Sequence, residues 1–314
     1  MRKLVLFLLF TLVFVVACDE NGAGDEGNDI DQDQPTIALT VINQEALFFT
    51  EMVKGAEAMA EELGANLNVY NANNNQVDQN NAIENFISEG VDAIIINAID
   101  PGALMPVVEQ AADAGIPLIS VDSVIDHESI NVQIGVDNSE ESVRLAEYFN
   151  EYWDGAADIG IVSALNSPIQ INRQDSFVDT VEAGGSDIIS VVDGENVQEN
   201  ALSAAENLFI SNPDLDAVYV TGEPAFIGAV SAVRSQGKEH DIKLFGWDLS
   251  AQVLEGIDEG FVEAVIQQHP DQYGAESVSS AFKLINGEDV DGQIDVPATI
   301  VTAENVEEFR SMFE

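Results

Sequence analysis

Short runs rich in apolar and β-branched residues alternate with longer amphipathic stretches along most of this chain, and the alternation begins at Pro35. TIALTVI (36–42), LNVYNA (67–72), VDAIIIN (91–97) and IPLISVD (116–122) are brief and bounded by turn residues, so they read as strands. Between the first two, Phe48, Phe49, Met52, Val53, Ala56, Met59, Ala60 and Leu63 fall on one helical face, the spacing of a helix laid on a sheet. Asp100 and Pro101 suit the cap and first position of a third helix. After NVQIGV (131–136) the pattern starts afresh with ADIGIVS (157–163), DIISVVD (187–193), DAVYVT (216–221), DIKLFGW (241–247) and FVEAVIQQ (261–268). Helices of this length between strands predict right-handed crossovers and mostly parallel sheets covered on both faces. A stretch of about 280 residues exceeds what one core holds, so the predicted fold class is α/β with two Rossmann-like lobes.

The first 34 residues break the pattern. Arg2 and Lys3 precede an apolar stretch from Leu4 to Ala17, too short for the ~20 residues of a spanning helix. That order of features predicts an export signal over 1–17. Its last residues, Val15, Val16 and Ala17 followed by Cys18, resemble the bacterial lipobox, which implies a lipid on Cys18 and attachment to the outer face of the cytoplasmic membrane. Asp19 resembles the signal that retains lipoproteins at the inner membrane in some diderm bacteria. Residues 18–35 are dominated by Asp, Glu and Gly and read as an acidic flexible linker. Asp29, Asp31 and Asp33 alternate as in a calcium loop, but Gln34 stands where such a loop needs glycine and Thr40 where it needs glutamate. Cys18 is also the only cysteine, so neither an intramolecular disulfide nor a cysteine zinc cluster is available.

Charge narrows the partners. Leaving out residues 1–17, which hold two of the ten basic residues and no acidic one, gives eight basic against 57 acidic residues and a net of −49. Such a surface repels nucleic acid, whose binding depends on Lys and Arg displacing counterions. With 46% hydrophobic residues the chain still has the material for a large core, so the acids belong mainly to a solvated surface. Self-repulsion on this scale calls for screening, which suggests a saline or alkaline exterior.

In open parallel sheets the ligand crevice lies beyond the carboxyl ends of the strands. Reading those ends gives Asn97, Asp122, Gly222 with Glu223, Trp247 with Asp248, and Gln268. Carboxylates and amides pair with neighbouring hydroxyls, and an aromatic face covers the C–H surface of a sugar ring, so this set suits a polyol. At any single position a helix cap or a satisfied strand end accounts for the residue equally well. Glu223, for one, favours a helix N-terminus without any ligand.

From residue 36 to about 303 the chain resembles the ribose-type periplasmic sugar-binding proteins, the substrate-capturing subunits of bacterial ABC importers. The segments that carry the resemblance are IALTVINQEALFFTEMVKGA, AIIINAIDPGAL, GIPLISVDS, IGVDN, NRQDSF, AVYVTGEPAFIGAV, LFGWDLS and AVIQQHPDQYG, in this order over nearly the whole chain. The resemblance implies a type I periplasmic-binding-protein fold with a three-strand hinge. It implies one lobe of 36–137 with 269–295 and another of 138–268 with 296–303; residues 304–314 themselves suggest a short closing helix with no functional reading. The resemblance places ring stacking on Phe48 and Phe49 and hydroxyl partners on Asn97, Asp122, Arg173, Asp248 and Gln268; because the helix face also suits core packing, one of the two phenylalanines is expected in the core and the other at the cleft. Trp247 would replace the usual stacking phenylalanine. Three departures bear on the ligand. Ser123 stands where ribose binders have arginine, Gly222 where they have asparagine, and Asn196 near a position usually aromatic. These argue for a hexose, pentitol or other polyol instead of ribose.

The resemblance implies a monomer that is not an enzyme, has no cofactor and hands its sugar to ABC permease subunits. Asp122 and Asp248 could also be read as a glycosidase pair, but no hydrolase motif accompanies them. His127, His240 and His269 lack metal-ligand spacing, and neither a GxxxxGK[ST] loop nor a GxSxG elbow is present. The sugar-responsive repressors that share the fold carry a DNA-binding headpiece where this chain has its leader and acidic spacer. A receptor role, presenting a ligand to a membrane sensor or chemoreceptor, stays open beside import.

Overall fold

The computed structural model describes residues 34–313 apart from 45 and 154, so the leader, Cys18, Asp19 and nearly all of the acidic linker lie outside the described residues. The first sheet is built from β1 (Thr36–Val41), β2 (Asn66–Asn71), β3 (Ala93–Ile96), β4 (Leu118–Val121) and β5 (Ile130–Gly135). These alternate with α1 (Leu47–Leu63), α2 (Gln76–Glu89) and α3 (Met105–Asp113). The second holds β6 (Asp158–Ser163), β7 (Asp187–Asp193), β8 (Ala217–Val220), β9 (Lys243–Trp247) and β10 (Val262–Gln267). Its helices are α4 (Asn138–Trp153), α5 (Pro168–Ala183), α6 (Gln198–Ser211), α7 (Glu223–Gln236) and α8 (Ala251–Glu259). Then α9 (Pro270–Ile285) and β11 (Gln293–Asp295) return to the first sheet, and β12 (Thr299–Val301) closes the second.

The two sheets repeat one plan. Their orders are β11-β5-β4-β3-β1-β2 and β12-β10-β9-β8-β6-β7, and every pairing is parallel except β10 with β12. Central strands such as β3 and β4 are buried at every position, as expected of sheets covered on both faces. The chain therefore forms two α/β lobes and passes between their sheets after β5, after β10 and after β11.

Predicted and observed strands agree to within two residues at each end for β1 to β10. Asp100 does act as a cap, accepting from the amides of Gly102 (2.9 Å) and Ala103 (3.2 Å), but it starts a 3₁₀ turn, Gly102–Leu104, that runs into α3. The C-terminal helix expected over 304–314 is instead a pair of 3₁₀ turns, Val306–Glu308 and Arg310–Phe313. Single turns of that kind suit a segment this short, with too few residues for helix nucleation to be favourable.

One helix contact fixes part of the site. A Cβ on Gly274 of α9 would lie 1.8 Å from the Met52 carbonyl oxygen, and one on Gly55 of α1 would lie 1.9 Å from the Asp271 carbonyl oxygen. The two bare backbones let α1 and α9 cross in direct contact. Both helices begin at the same cleft, so this crossing sets where Phe48 and Phe49 stand.

Candidate functional site

The carboxyl ends of both sheets face a cleft of about 320 Å³ lined from the two lobes. Its most informative pair is Asp122 and Asp248, which follow β4 and β9, the third strand in each sheet order. Each continues the ladder through its amide: Asp122 donates to Ile134 O (2.7 Å) and Asp248 to Ile266 O (2.8 Å). Each then turns into the left-handed region, with φ of 64° and 65°. Asp tolerates this conformation better than most side chains, though at a cost, and the turn aims both carboxylates into the cleft.

Each carboxylate is held by an amide. Asn97, fully buried at the end of β3, donates from Nδ2 to Asp122 Oδ2 (3.1 Å) and to Val121 O (3.2 Å) while its Oδ1 accepts from the Ile42 amide. Gln268 donates from Nε2 to both oxygens of Asp248, at 2.9 and 3.1 Å, and its own carbonyl accepts from the Tyr273 hydroxyl (3.1 Å).

Among the described residues Arg173 is the cleft's cation. Buried on α5, it donates from Nε to Asn138 Oδ1 (2.7 Å) and from a terminal nitrogen to Thr221 O (3.0 Å), with Asp248 Oδ2 at 3.8 Å. Its guanidinium lies 3.6 Å above the Trp247 ring. Trp247 Nε1 in turn donates to the Tyr219 hydroxyl (2.9 Å), and the Tyr219 ring stacks on Phe177 at 3.9 Å. Burial pushes the Tyr219 hydroxyl up to about 12, so it stays protonated and donates to the Arg173 carbonyl oxygen (3.3 Å).

Burial also raises the acids. It lifts Asp122 to about 6, with Asp248 adding to the shift and Asn97 and Arg173 opposing it. Asp248 is raised for the same reason against the pull of Arg173 and Gln268. Glu223, first residue of α7, is lifted to about 7 by desolvation and by the charge of Asp248. Desolvation likewise lowers Arg173, with Asp248 opposing.

Of the residues singled out from the sequence, Phe48, Phe49, Asp122, Arg173, Asn196, Gly222, Glu223, Asp248 and Gln268 line the cleft. Three do not. Asn97 stands behind Asp122 as its support. The Ser123 hydroxyl is engaged inside its own lobe, accepting from the Ala98 amide (2.7 Å). Trp247 is fully buried with Arg173 over its face, so it offers no ring to a ligand; it is the floor under the arginine. Nor do Phe48 and Phe49 divide into one core and one cleft residue. Both are half-buried, meet edge to face at 5.3 Å, and share the cleft.

Gln170 and Gln267 were missed. Gln170 lies one helical turn before Arg173 on the same face and accepts from the Thr221 hydroxyl (2.6 Å), a spacing that could have found it. Gln267 neighbours Gln268 and braces the turn by accepting from the Leu249 amide (2.9 Å). Met312 and Phe313 also line the cleft, and no periodicity in the sequence pointed to them.

Two lobes of equivalent plan, with paired carboxylates, one buried guanidinium and aromatic edges between them, define a solute-binding cleft. The profile of the periplasmic binding protein domain family matches residues 37–289, and the chain belongs to that family, whose members are non-catalytic extracytoplasmic carriers. It is 28% identical over 286 residues, 86% of this chain and 90% of the relative, to the D-ribose/D-allose-binding protein of Pseudomonas aeruginosa. The structure of a solute-binding protein from Bacillus halodurans with bound myo-inositol is 27% identical, with a TM-score of 0.78 covering 89% of this chain and 98% of that one. A sugar-binding protein from the same organism superposes with a TM-score of 0.83 at 24% identity, over 88% and 100%, and shares the fold.

Proposed function

We propose that this protein captures a sugar or polyol between its lobes and delivers it to an ABC importer. The observation that carries this reading is the matched pair Asp122 and Asp248, each braced by an amide, beside Arg173 and the half-buried rings of Phe48 and Phe49. Acceptors and a fork of donors serve ring hydroxyls, while the rings cover C–H surface. The relatives bind ribose, allose or myo-inositol by their names, which supports the ligand class. Serine at 123 and glycine at 222 favour a ligand other than ribose. A Cβ at Gly222 would come within 2.8 Å of Gln170 Nε2 and 3.1 Å of Asn196 Oδ1, so these two amides occupy the space an asparagine would need.

A ligand touching both lobes stabilises the closed arrangement, and the closed form then docks on the permease. We assign the moving bodies as 36–137 with 269–295 and 138–268 with 296–303, acting as a monomer. A lipid on Cys18 and the acidic linker would keep this carrier at the outer face of the membrane, supported by the order of basic head, apolar run, Ala17 and Cys18. Partition of a Cys18→Ser chain into detergent exactly like the parent would remove the anchor from this picture.

A thermal-shift screen of D-ribose, D-allose, D-glucose, D-arabinose and myo-inositol tests the reading, since a bound ligand raises Tm through RT ln(1 + [L]/Kd). No shift with any of them counts against it. Salt is the second variable of the same screen. Seven of the eight basic residues beyond residue 17 already stand in ion pairs, so apart from Lys238 the remaining acids depend on solvent cations for screening. We expect Tm to rise between about 0.1 and 2 M NaCl, as the Debye length falls from ~10 Å to below ~3 Å. A flat or falling Tm would argue against a saline habitat.

The acidity of Asp122 gives a further expectation. Its pKa in the fold, about 6, lies above the ordinary value of 3.8, so the folded state binds the proton more tightly than the unfolded one. Its contribution to ligand-free stability therefore grows as pH falls from 6 toward 4 and is lost as pH rises through 6. Sugar affinity should move the opposite way, because hydroxyls donate to the ionised carboxylate. Titration calorimetry between pH 7.5 and 5 should show Kd rising on the acid side, with the change muted in Asp122→Asn; a pH-independent Kd refutes this role.

A further inference from the structure

We infer that the C-terminal segment supplies the second lobe's wall of the ligand cleft, with Phe313 as the ring that meets the C–H face of a bound sugar. This rests on the sugar-binding reading above and adds to it a residue from a part of the chain to which nothing in the sequence assigned a role.

The first lobe brings Phe48 and Phe49 to the cleft, but the second lobe lacks a ring where one is expected. Trp247 lies beneath Arg173, whose guanidinium occupies the ring face at 3.6 Å. Asn196 is an exposed amide in the left-handed region, φ 53°, at the position where the resemblance expects an aromatic. Phe313 is the one aromatic ring that the second lobe places on the cleft among the described residues, and Met312 stands next to it. A sugar held at its hydroxyl edge by Asp122, Asp248 and Arg173 still presents two C–H faces, and a polar surface against either leaves apolar area unpaired.

The segment is fastened to its lobe, so it behaves as a wall and not as a loose tail. The Thr302 amide donates to Asn305 Oδ1 (2.9 Å), starting the first 3₁₀ turn. Val306 and Phe309 are buried in the core of the second lobe, and Met312 and Phe313 pack against that same core. Arg310 then clamps the last turn, donating to both oxygens of Asp258 on α8, at 2.6 and 3.1 Å, and to Glu307 (2.9 Å). A fork-to-fork pair of this kind fixes orientation as well as distance. Phe313 therefore moves with Asp248 and Arg173 when the lobes part, and a ligand sandwiched between it and the α1 rings has an apolar contact in each lobe.

The test is titration of the full chain and four variants with the five panel sugars. Phe313→Ala should raise Kd for the sugar that the parent binds by about tenfold, the worth of an aromatic face in such a contact, and lower ligand-free Tm by only a few degrees, the cost of removing a half-buried ring from the lobe's core. Phe313→Tyr should bind within about twofold of the parent, whereas Phe313→Leu should be weakened nearly as far as the alanine variant. Parent-like Kd in Phe313→Ala, with Asp248→Asn losing binding, overturns the wall and leaves the sugar reading intact. Parent-like Kd in Phe313→Leu alone overturns the ring-stacking role. A parent chain that binds none of the five sugars brings down the sugar reading and this wall with it.

Discussion

Replacing Asp248 by Asn is expected to raise the Kd for the bound sugar by about a hundredfold or more while changing ligand-free stability little. Hydrogen bonds to a charged acceptor contribute about 1.5–3 kcal/mol each, and a carboxylate facing a vicinal diol accepts two. The substitution isolates the acceptor because of the backbone. Residue 248 sits at φ 65°, where Asn is tolerated but Ala is strained by about 1–2 kcal/mol, so Asp248→Ala would mix a folding penalty with the loss of function. Asn also has only one acceptor oxygen, and Gln268 Nε2, which now donates to both oxygens of Asp248, will claim it. The ligand is then left facing an amide donor. Calorimetry on the parent and on Asp248→Asn decides the matter, and a Kd changed less than threefold would show that this carboxylate does not hold the ligand.

The equivalence of Asp122 and Asp248 was visible only in part before the fold was known. Both stood at predicted strand ends, because a buried parallel strand is an unbroken apolar run and its polar exit is conspicuous. Nothing in the sequence, however, says that β4 and β9 hold the same place in two sheets, or that both residues turn left-handed. Trp247 shows the opposite failure. A tryptophan at a strand end, beside an acid, looks like a stacking platform; the competing fact is an arginine far away in sequence, Arg173, that covers its face. β11 and β12 were missed for another reason. At three residues each, with few apolar positions, they owe their pairing to strands from other parts of the chain. Phe309 and Phe313 likewise had too short a segment around them to show any period, so their burial could only be seen once the second lobe's core was assembled.

Arg173→Met is expected to lower ligand-free Tm by about 5–10 °C and to abolish sugar binding, the largest combined effect of any single substitution in the cleft. Met fills part of the volume over Trp247 but can donate to nothing. Asn138 Oδ1 and Thr221 O each lose a close donor, which costs about 1–3 kcal/mol apiece where no water replaces it. Loss of the cation over a buried indole adds about 2 kcal/mol. Against this, Arg173 no longer has to be kept desolvated, and burial already lowers its pKa, so the sum is tempered to about 3 kcal/mol. For a protein of this size that corresponds to several degrees. Asp248 gives the internal control. Its partner nitrogen is 3.8 Å away and its side chain is 19% exposed, so the ion pair itself should be weak. In a double-mutant cycle, Asp248→Asn should then relieve only about 1 kcal/mol of the Arg173→Met loss. A larger coupling would mean that Arg173 is there chiefly to neutralise Asp248. A small coupling with Arg173→Lys also losing affinity would mean that it is there as a planar fork, held flat by Trp247 and aimed at hydroxyls, a role the compact ammonium of lysine does not reproduce.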